Sequence, residues 1–282
     1  MQRIMITGAG GQLARCLIEA ATASGKYRVF TYTRSDLDIN DPKGLREAMT
    51  EAKPDICFNC AAYTAVDKAE TDEEEANKVN HLALVRLASA CEQNGVRLVH
   101  FSTDYVYADR YNRPLKENDA TQGAGVYART KLLGEQAILK HQPDSFIIRT
   151  SWVYSEYGHN FMRTMLKLGR DRDELRVVCD QIGSPTYARD LAEAALEISH
   201  HDEAKRGIYN YSNSGACSWY DFALAIHEIA GIECTVHPVN SDAYPTAATR
   251  PHFSLLDKQK ISQVIGAPRH WRVALQECIG KV

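Results

Sequence analysis

Short apolar runs and longer amphipathic stretches alternate through the first half of the chain. The runs "RIMIT", "YRVFTYT", "DICFNC", "VRLVHFS" and "SFIIRTS" have the length and composition of buried strands. Between them lie segments with helical spacing of apolar residues. The first, Gln12 to Ser24, is expected to stop at Gly25. Asp41 followed by Pro42 supplies a capping carboxylate and a pre-set φ for a second helix. The acidic "DEEE" after Thr71 suits the positive end of another helix dipole, and a solvated first turn accounts for it without a bound cation. A further helix carries Tyr127 and Lys131. Strands alternating with helices in this way predict βαβ crossovers and an α/β fold with a doubly wound parallel sheet.

Beyond Ser151 the alternation loosens. A helix from Phe161, the strand "LRVVC", a Gly-Pro loop "DQIGSPTY", a helix from Ala188 to Ser199, the strand "GIYNYS" and a helix opened by "SWYD" follow one another. The expected division is a sheet domain over residues 1–151 and a smaller α+β lobe over 152–282. The helix at 188–199 is expected to return to the first domain. Ligands of such a sheet lie beyond the carboxyl ends of its strands, with the lobe placed to cover them.

Composition changes this picture little. The 282 residues are 44% apolar and 24% charged, with a formal net charge of −3, so neither nucleic acid nor a membrane surface is expected as a partner. The N-terminal "MQRIMITGAGG" lacks a signal-peptide pattern, and the chain reads as cytoplasmic. Eight cysteines include "CFNC", Cys57 to Cys60, with no second pair at zinc-site spacing. They are expected to be packed thiols, and no metal site is expected.

The loop "ITGAGGQLA", Ile6 to Ala14, joins the first strand to the first helix, and there the glycines acquire meaning. Gly8 permits the tight turn, Gly11 lets the backbone approach a pyrophosphate at the helix N-terminus, and Ala14 lets helix and strand pack closely. This is the phosphate-binding turn of a Rossmann-type sheet. After the second strand no acid stands ready for a ribose 2′-hydroxyl, but Arg34 stands ready for a 2′-phosphate. NADPH is therefore the expected cofactor, with NADH as a tolerated alternative. Asp38 and Ile39 come slightly later, where an acid can meet the adenine amino group or simply open the approach to the next helix.

In "VYARTK", Tyr127 and Lys131 are i and i+4 and share one helix face, with Gly134 on that face able to approach another body closely. A phenol with a pKa of ~10 is a poor acid–base group at neutral pH. An ammonium about 4 Å away contributes about 4 kcal/mol at moderate dielectric, equivalent to about three pKa units. Thr103, ending the fourth strand, can offer a hydroxyl to the same substrate oxygen.

These features resemble the extended short-chain dehydrogenase/reductases, and among them the dTDP-4-dehydrorhamnose reductase family. The resemblance spans nearly the whole chain through "TGAGGQLA", "NCAAYTAVDKAE", "STDYVY", "VYARTKLLGE", "RTSWVY", "DQIGSPTY", "SWYDFA" and "RPHFSLLD". It implies Thr103, Tyr127 and Lys131 as catalytic residues, with Tyr127 protonating the C4 oxygen while NAD(P)H delivers hydride to C4 and Lys131 lowering its pKa and holding the nicotinamide ribose. It implies cofactor contacts from Gly11, Gln12, Leu13, Asp38, Ile39, Ala62, Tyr63 and Thr64, and dTDP-sugar contacts from Thr103, Asp104, Trp152 and Arg250. Without the resemblance, Trp152 reads equally as a core aromatic and Arg250 as half of a surface ion pair. Some relatives bind magnesium at a dimer interface through an acid just after the glycine loop. Cys16 stands there, a poor magnesium ligand, which argues against that metal and the dimer it supports. The sequence is compatible with a monomer or a homodimer.

The same scaffold supports other activities. A 4,6-dehydratase needs an acid and a base after the threonine, but here Tyr105 follows Asp104. A 4-epimerase uses the same tyrosine and lysine, and a regulatory subunit resembling the methionine adenosyltransferase beta subunit uses neither. The resemblance alone chooses rhamnose over its C4 epimer, 6-deoxytalose, as the product sugar.

Overall fold

The computed structural model describes residues 1–201 and 205–282. Its first half follows the expected alternation: β1 (Gln2–Thr7), α1 (Gln12–Ser24), β2 (Tyr27–Tyr32), α2 (Pro42–Ala52), β3 (Ile56–Asn59), α3 (Val66–Ala69) and α4 (Glu73–Asn77). A π-helical turn, Lys78–Leu82, then leads into α5 (Ala83–Gln93), β4 (Arg97–Thr103), a 3-10 turn (Asp104–Val106), α6 (Gly125–His141) and β5 (Phe146–Thr150). The punctuation acts as the sequence implied. Gly25 ends α1 in the left-handed conformation at φ 65°, and the Asp41 carboxylate accepts from Lys43 N at 2.9 Å at the start of α2.

The main sheet has the order β10-β5-β4-β3-β1-β2 with every pairing parallel, where β10 is Gly207–Asn210. Strand residues alternate between its two faces. Ile4, Ile6, Phe58, Val99, Phe101 and Ile148 point to one core, where α1 and α8 (Ala188–His200) pack. Met5, Cys57, Leu98 and Ile147 point to the other, facing α2, α5 and α6. Both faces are covered, so the strands read as continuous apolar runs rather than as alternating ones. Helix α8 packs on α1 at one face of the sheet, and β10 pairs with β5 at its edge.

The remaining elements form a second core around Phe222. It joins α7 (Phe161–Asp171), α9 (Trp219–Ala230) and α11 (Trp271–Ile279) to the parallel pair β7 (Glu174–Val178) and β12 (Thr235–Val239). The short pairs β6 (Val153–Tyr154) with β9 (Thr186–Tyr187), and β8 (Ile182–Gly183) with β11 (Cys217–Ser218), link the chain around it, and α10 (Gln259–Ile265) packs back on α8. Ser218 and Asp221 form the expected capping box at the start of α9.

Helix α6 is fixed at three places along its length. At its start, Val126 N donates to Glu70 Oε1 at 2.8 Å. Toward its end, buried Glu135 receives Arg149 of β5 through Nη2 at 2.6 Å and Nε at 3.0 Å. Such a pair adds little net stability but is costly to break, so it sets position. Next to Glu135, Gly134 lies against the π-helical turn and α5, where an added Cβ would stand 2.1 Å from Asn80 O and 2.6 Å from Leu84 Cδ1. The close approach anticipated for this glycine is therefore made. Gly134→Ala is expected to cost at least about 2 kcal/mol through overpacking against backbone, read as a lower midpoint in urea unfolding.

Candidate active site

The order β3-β1-β2 reverses direction at β1, so a crevice opens between the carboxyl ends of β1 and β3. Gly8 turns there at φ 67°, and a Cβ on it would lie 2.6 Å from Ala61 N. Gly11 is the N-cap of α1, donating its N–H to Gly8 O at 2.9 Å, with no side chain capping the helix and no acid in its first turn. The helix end therefore presents free main-chain donors and positive dipole to the crevice, as a pyrophosphate requires.

From this point a cleft of about 650 Å³ runs across the strand ends. Its lining contains nearly all of the residues expected from the sequence. In the order of the strand ends, Arg34, Asp38 and Ile39 lie beyond β2, Gly8, Gly11, Gln12 and Leu13 beyond β1, and Ala62, Tyr63 and Thr64 beyond β3. Thr103 and Asp104 follow at the end of β4, Trp152 beyond β5, and Tyr127 and Lys131 enter the lining from α6. The Ala62–Thr64 segment is held by buried Asn80, whose Oδ1 accepts from Tyr63 N and whose Nδ2 donates to Tyr63 O and Thr130 Oγ1. Ser102 Oγ at the cleft wall is buried and has no hydrogen-bond partner among the described residues. These features fit a dinucleotide laid along the strand ends. Asp38 accepts from Asn40 N at 2.9 Å, which lowers its pKa, and remains a charged acceptor on the wall.

Arg250 departs from expectation. It does not line the cleft; its guanidinium is paired with Asp67 of α3 at 2.7 and 3.0 Å, so the ion-pair alternative describes it in this state. Arg34 does line the cleft, but its exposed side chain is bound to Glu75 at 2.7 Å.

The electrostatics of the tyrosine also need correction. Tyr127 is pushed up to about 12 by burial, lowered somewhat by the Thr103 hydroxyl and raised by Asp104. The lysine does not provide the relief that was expected. Lys131 Nζ donates instead to Phe101 O at 2.7 Å and touches His100 Nε2 at 3.2 Å, and burial pushes its own pKa down to about 8. Desolvation opposes the charged form of both groups, and Lys131 is not among the neighbours that act on Tyr127. Tyr105, which would have to act as base in a dehydratase, is raised far above the usual tyrosine range by burial and by Asp104, so elimination lacks its base.

Trp152 occupies the far wall in a left-handed conformation, φ 50°, uncommon for a residue with a Cβ. Its ring stacks on Trp219 at 3.6 Å between centroids and 13° between planes. Gly183 makes room for it, since a Cβ there would lie 2.8 Å from the indole. Trp219 lines the cleft as well but was legible only as part of a helix cap; an exposed-looking tryptophan at the first position of α9 was the one available signal.

Asp104 is buried and its carboxyl is pushed up to about 6 by desolvation, against the Ser254 and Thr103 hydroxyls. A raised folded-state pKa favours the protonated form, so this contribution to stability is present below the unfolded value near ~4 and is lost as pH rises through about 6. About 3 kcal/mol of pH-dependent stability is expected over that interval, and Asp104→Asn should flatten it in urea unfolding followed as a function of pH.

All 282 residues match the family model described as "RmlD substrate binding domain". The chain is 42% identical over 277 residues to the spore coat polysaccharide biosynthesis protein SpsK of Bacillus subtilis, covering 98% of this chain and 96% of that protein. It is 39% identical over 287 residues to the dTDP-4-dehydrorhamnose reductase of Aggregatibacter actinomycetemcomitans, covering 98% of each. The crystal structure of dTDP-4-dehydrorhamnose reductase from Bacillus anthracis in complex with NADP superposes with a TM-score of 0.95 at 34% identity, over the full length of both chains.

Proposed function

The chain belongs to the RmlD substrate-binding-domain family, and from that membership and the geometry of its cleft we propose that it reduces dTDP-4-dehydrorhamnose to dTDP-rhamnose at the expense of NADPH. It is an NAD(P)H-dependent oxidoreductase of nucleotide-sugar synthesis, supplying a deoxysugar for polysaccharide. The observation that carries the reading is the convergence of Thr103, Tyr127 and Lys131 on one cleft that also receives the bare N-terminus of α1. No helix among the described residues is long and apolar enough to cross a membrane.

When bound, the dihydronicotinamide supplies hydride to C4 of the sugar. The chain's own residues do the rest. Gly8, Gly11, Gln12 and Leu13 hold the pyrophosphate on main-chain donors, Asp38 and Ile39 border the adenine, and Ala62, Tyr63 and Thr64 form the wall beyond β3. Tyr127 donates its phenolic proton to the C4 oxygen, and Thr103 fixes that oxygen with its hydroxyl. A phenol whose pKa is pushed up to about 12 is fully protonated at neutral pH, so the acid form needed for reduction is the resting form. Asp104 and Trp152 border the sugar. Arg250 reaches the diphosphate only after leaving Asp67, an exchange of one anion for another of higher charge. The enzyme acts on a free nucleotide sugar as a monomer or homodimer in the cytoplasm. Neither the charge of the cleft nor its lining calls for magnesium.

Net loss of the reduced-nicotinamide absorbance with dTDP-4-dehydrorhamnose is the expected result in solution; sugar turnover without that loss would indicate an epimerase. Tyr127→Phe should lower kcat by about 10²–10⁴-fold with unchanged affinity for NADPH, and a near-normal kcat would remove the tyrosine from the mechanism. The Arg34–Glu75 pair is exposed and weak, leaving Arg34 available to a 2′-phosphate. Arg34→Ala is therefore expected to weaken NADPH by about ten- to a hundredfold while sparing NADH, measured as the ratio of the two KM values.

A further inference from the structure

Behind Lys131 lies a rung of polar side chains drawn from three neighbouring strands. Thr7 of β1, Asn59 of β3 and His100 of β4 are paired in register across the sheet, and each is about 1% exposed. Their hydrogen bonds have a fixed direction. Asn59 Oδ1 accepts from the main-chain N–H of Ala61 at 3.3 Å and from Thr7 Oγ1 at 2.6 Å. A main-chain N–H can only donate, so the amide cannot be turned over, and Nδ2 faces His100 Nδ1 at 2.9 Å as a donor. His100 Nδ1 must then carry the lone pair. Burial keeps the ring neutral, its pKa well below the usual histidine value, so its single proton sits on Nε2. That N–H points at Lys131 Nζ, 3.2 Å away.

Two N–H groups cannot share one hydrogen bond. We infer that His100 is a positioning residue for Lys131: with its tautomer imposed by Asn59, it donates Nε2–H to the lone pair of the neutral lysine amine and so makes the lysine ammonium a ready proton donor. The inference rests on the reductase reading and adds to it a path for the proton. After Tyr127 has given its proton to the C4 oxygen, the Lys131 ammonium gives one proton, relayed by water in the cleft, to the phenolate. The lysine N–H bond breaks, the tyrosine O–H bond forms, and the amine left behind is the form that His100 holds. The one proton that the reduction consumes is then taken up from solvent by the amine before the next turnover.

Other groups around α6 are already engaged. Glu135, one turn along the same helix and the group that raises Lys131, is bound by Arg149 of β5. Across from α6, Asp67 of α3 is paired with Arg250, Glu73 of α4 with Arg129, and His81 of the π-helical turn is bonded to Asn77. Asp104 and Tyr105 of the 3-10 turn lie toward Tyr127, and α5 meets α6 through Leu84 and Leu87. His100 is left as the partner that discriminates between the two forms of Lys131.

The test has two readings. Nitrogen NMR of the 15N-histidine-labelled wild-type protein should show His100 as the neutral Nε2–H tautomer from about pH 6 to about pH 9; an Nδ1–H tautomer overturns the inference. This reading needs no turnover, so it stands even if the wild-type protein fails to consume NADPH, a failure that would instead remove the reductase assignment. In the second reading, kcat falls as pH rises through the lysine pKa, because the ammonium is the donor. Asn59→Asp lets a carboxylate accept from Nδ1–H, frees the Nε2 lone pair for the ammonium, and should move this alkaline limb up by about one unit or more. His100→Gln can take the same bond from Asn59 on its carbonyl and still donate from its amide, so the limb should stay near its wild-type position. An unmoved limb in Asn59→Asp, or an equal shift in both variants, would reduce His100 to a packing role.

Discussion

The active end of this molecule depends on how closely α6 can lie against its neighbours. A helix carrying a tyrosine and a lysine on one face is of no use unless that face reaches the strand ends. The absence of a Cβ at Gly134 allows that approach, with Asn80 O where a side chain would have to be. The same Asn80 uses its side chain to hold the Tyr63 segment of the cofactor wall and Thr130 on α6. One close contact thus fixes two sides of the cleft relative to each other. The Glu135–Arg149 pair and the Glu70 bond to Val126 N prevent the helix from sliding or rolling about that point.

The depth at which α6 sits has an electrostatic consequence. Burial favours the neutral form of the groups around Tyr127: it raises Tyr127 and Asp104 and lowers Lys131 and His100. For a reduction this is a useful starting point, since the phenol must begin protonated. It is a poor one for stabilising the phenolate that remains. From the sequence, a charged lysine is the expected relief for a buried phenol; the lysine is itself buried, so desolvation works against both charged forms.

What could be read from the sequence was what depends on local geometry. Alternating apolar runs gave the parallel sheet, Gly8 and Gly11 the phosphate turn, and the four-residue spacing of Tyr127 and Lys131 a shared helix face. Residues whose role depends on register between distant strands escaped. Thr7, Asn59 and His100 lie far apart in the chain, and each taken alone is a polar residue in an apolar strand; only the pairing of β1, β3 and β4 aligns them. Trp219 escaped for the same reason, since its partner Trp152 comes from another element. Arg250 is a different case: the motif puts a cation near the substrate, and the fold pairs that cation with a carboxylate, Asp67, from a distant part of the chain.

The paired tryptophans show how the two cores are joined at the cleft. Trp152 belongs to the segment leaving β5, Trp219 to the first turn of α9, and their stacked rings fill the corner where the sheet meets the Phe222 core. The left-handed backbone at Trp152 carries a steric cost of about 1–2 kcal/mol, which persists only because the surroundings leave no alternative. Gly183 receives one face of the indole and Trp219 covers the other, so relaxing the backbone would mean surrendering both contacts. An aromatic wall held in this way is rigid at the part of the cleft where the proposed reading puts the sugar ring. Its rigidity matches the tight seat of α6: the tryptophan pair and the helix that carries Tyr127 are both set by contacts with no slack.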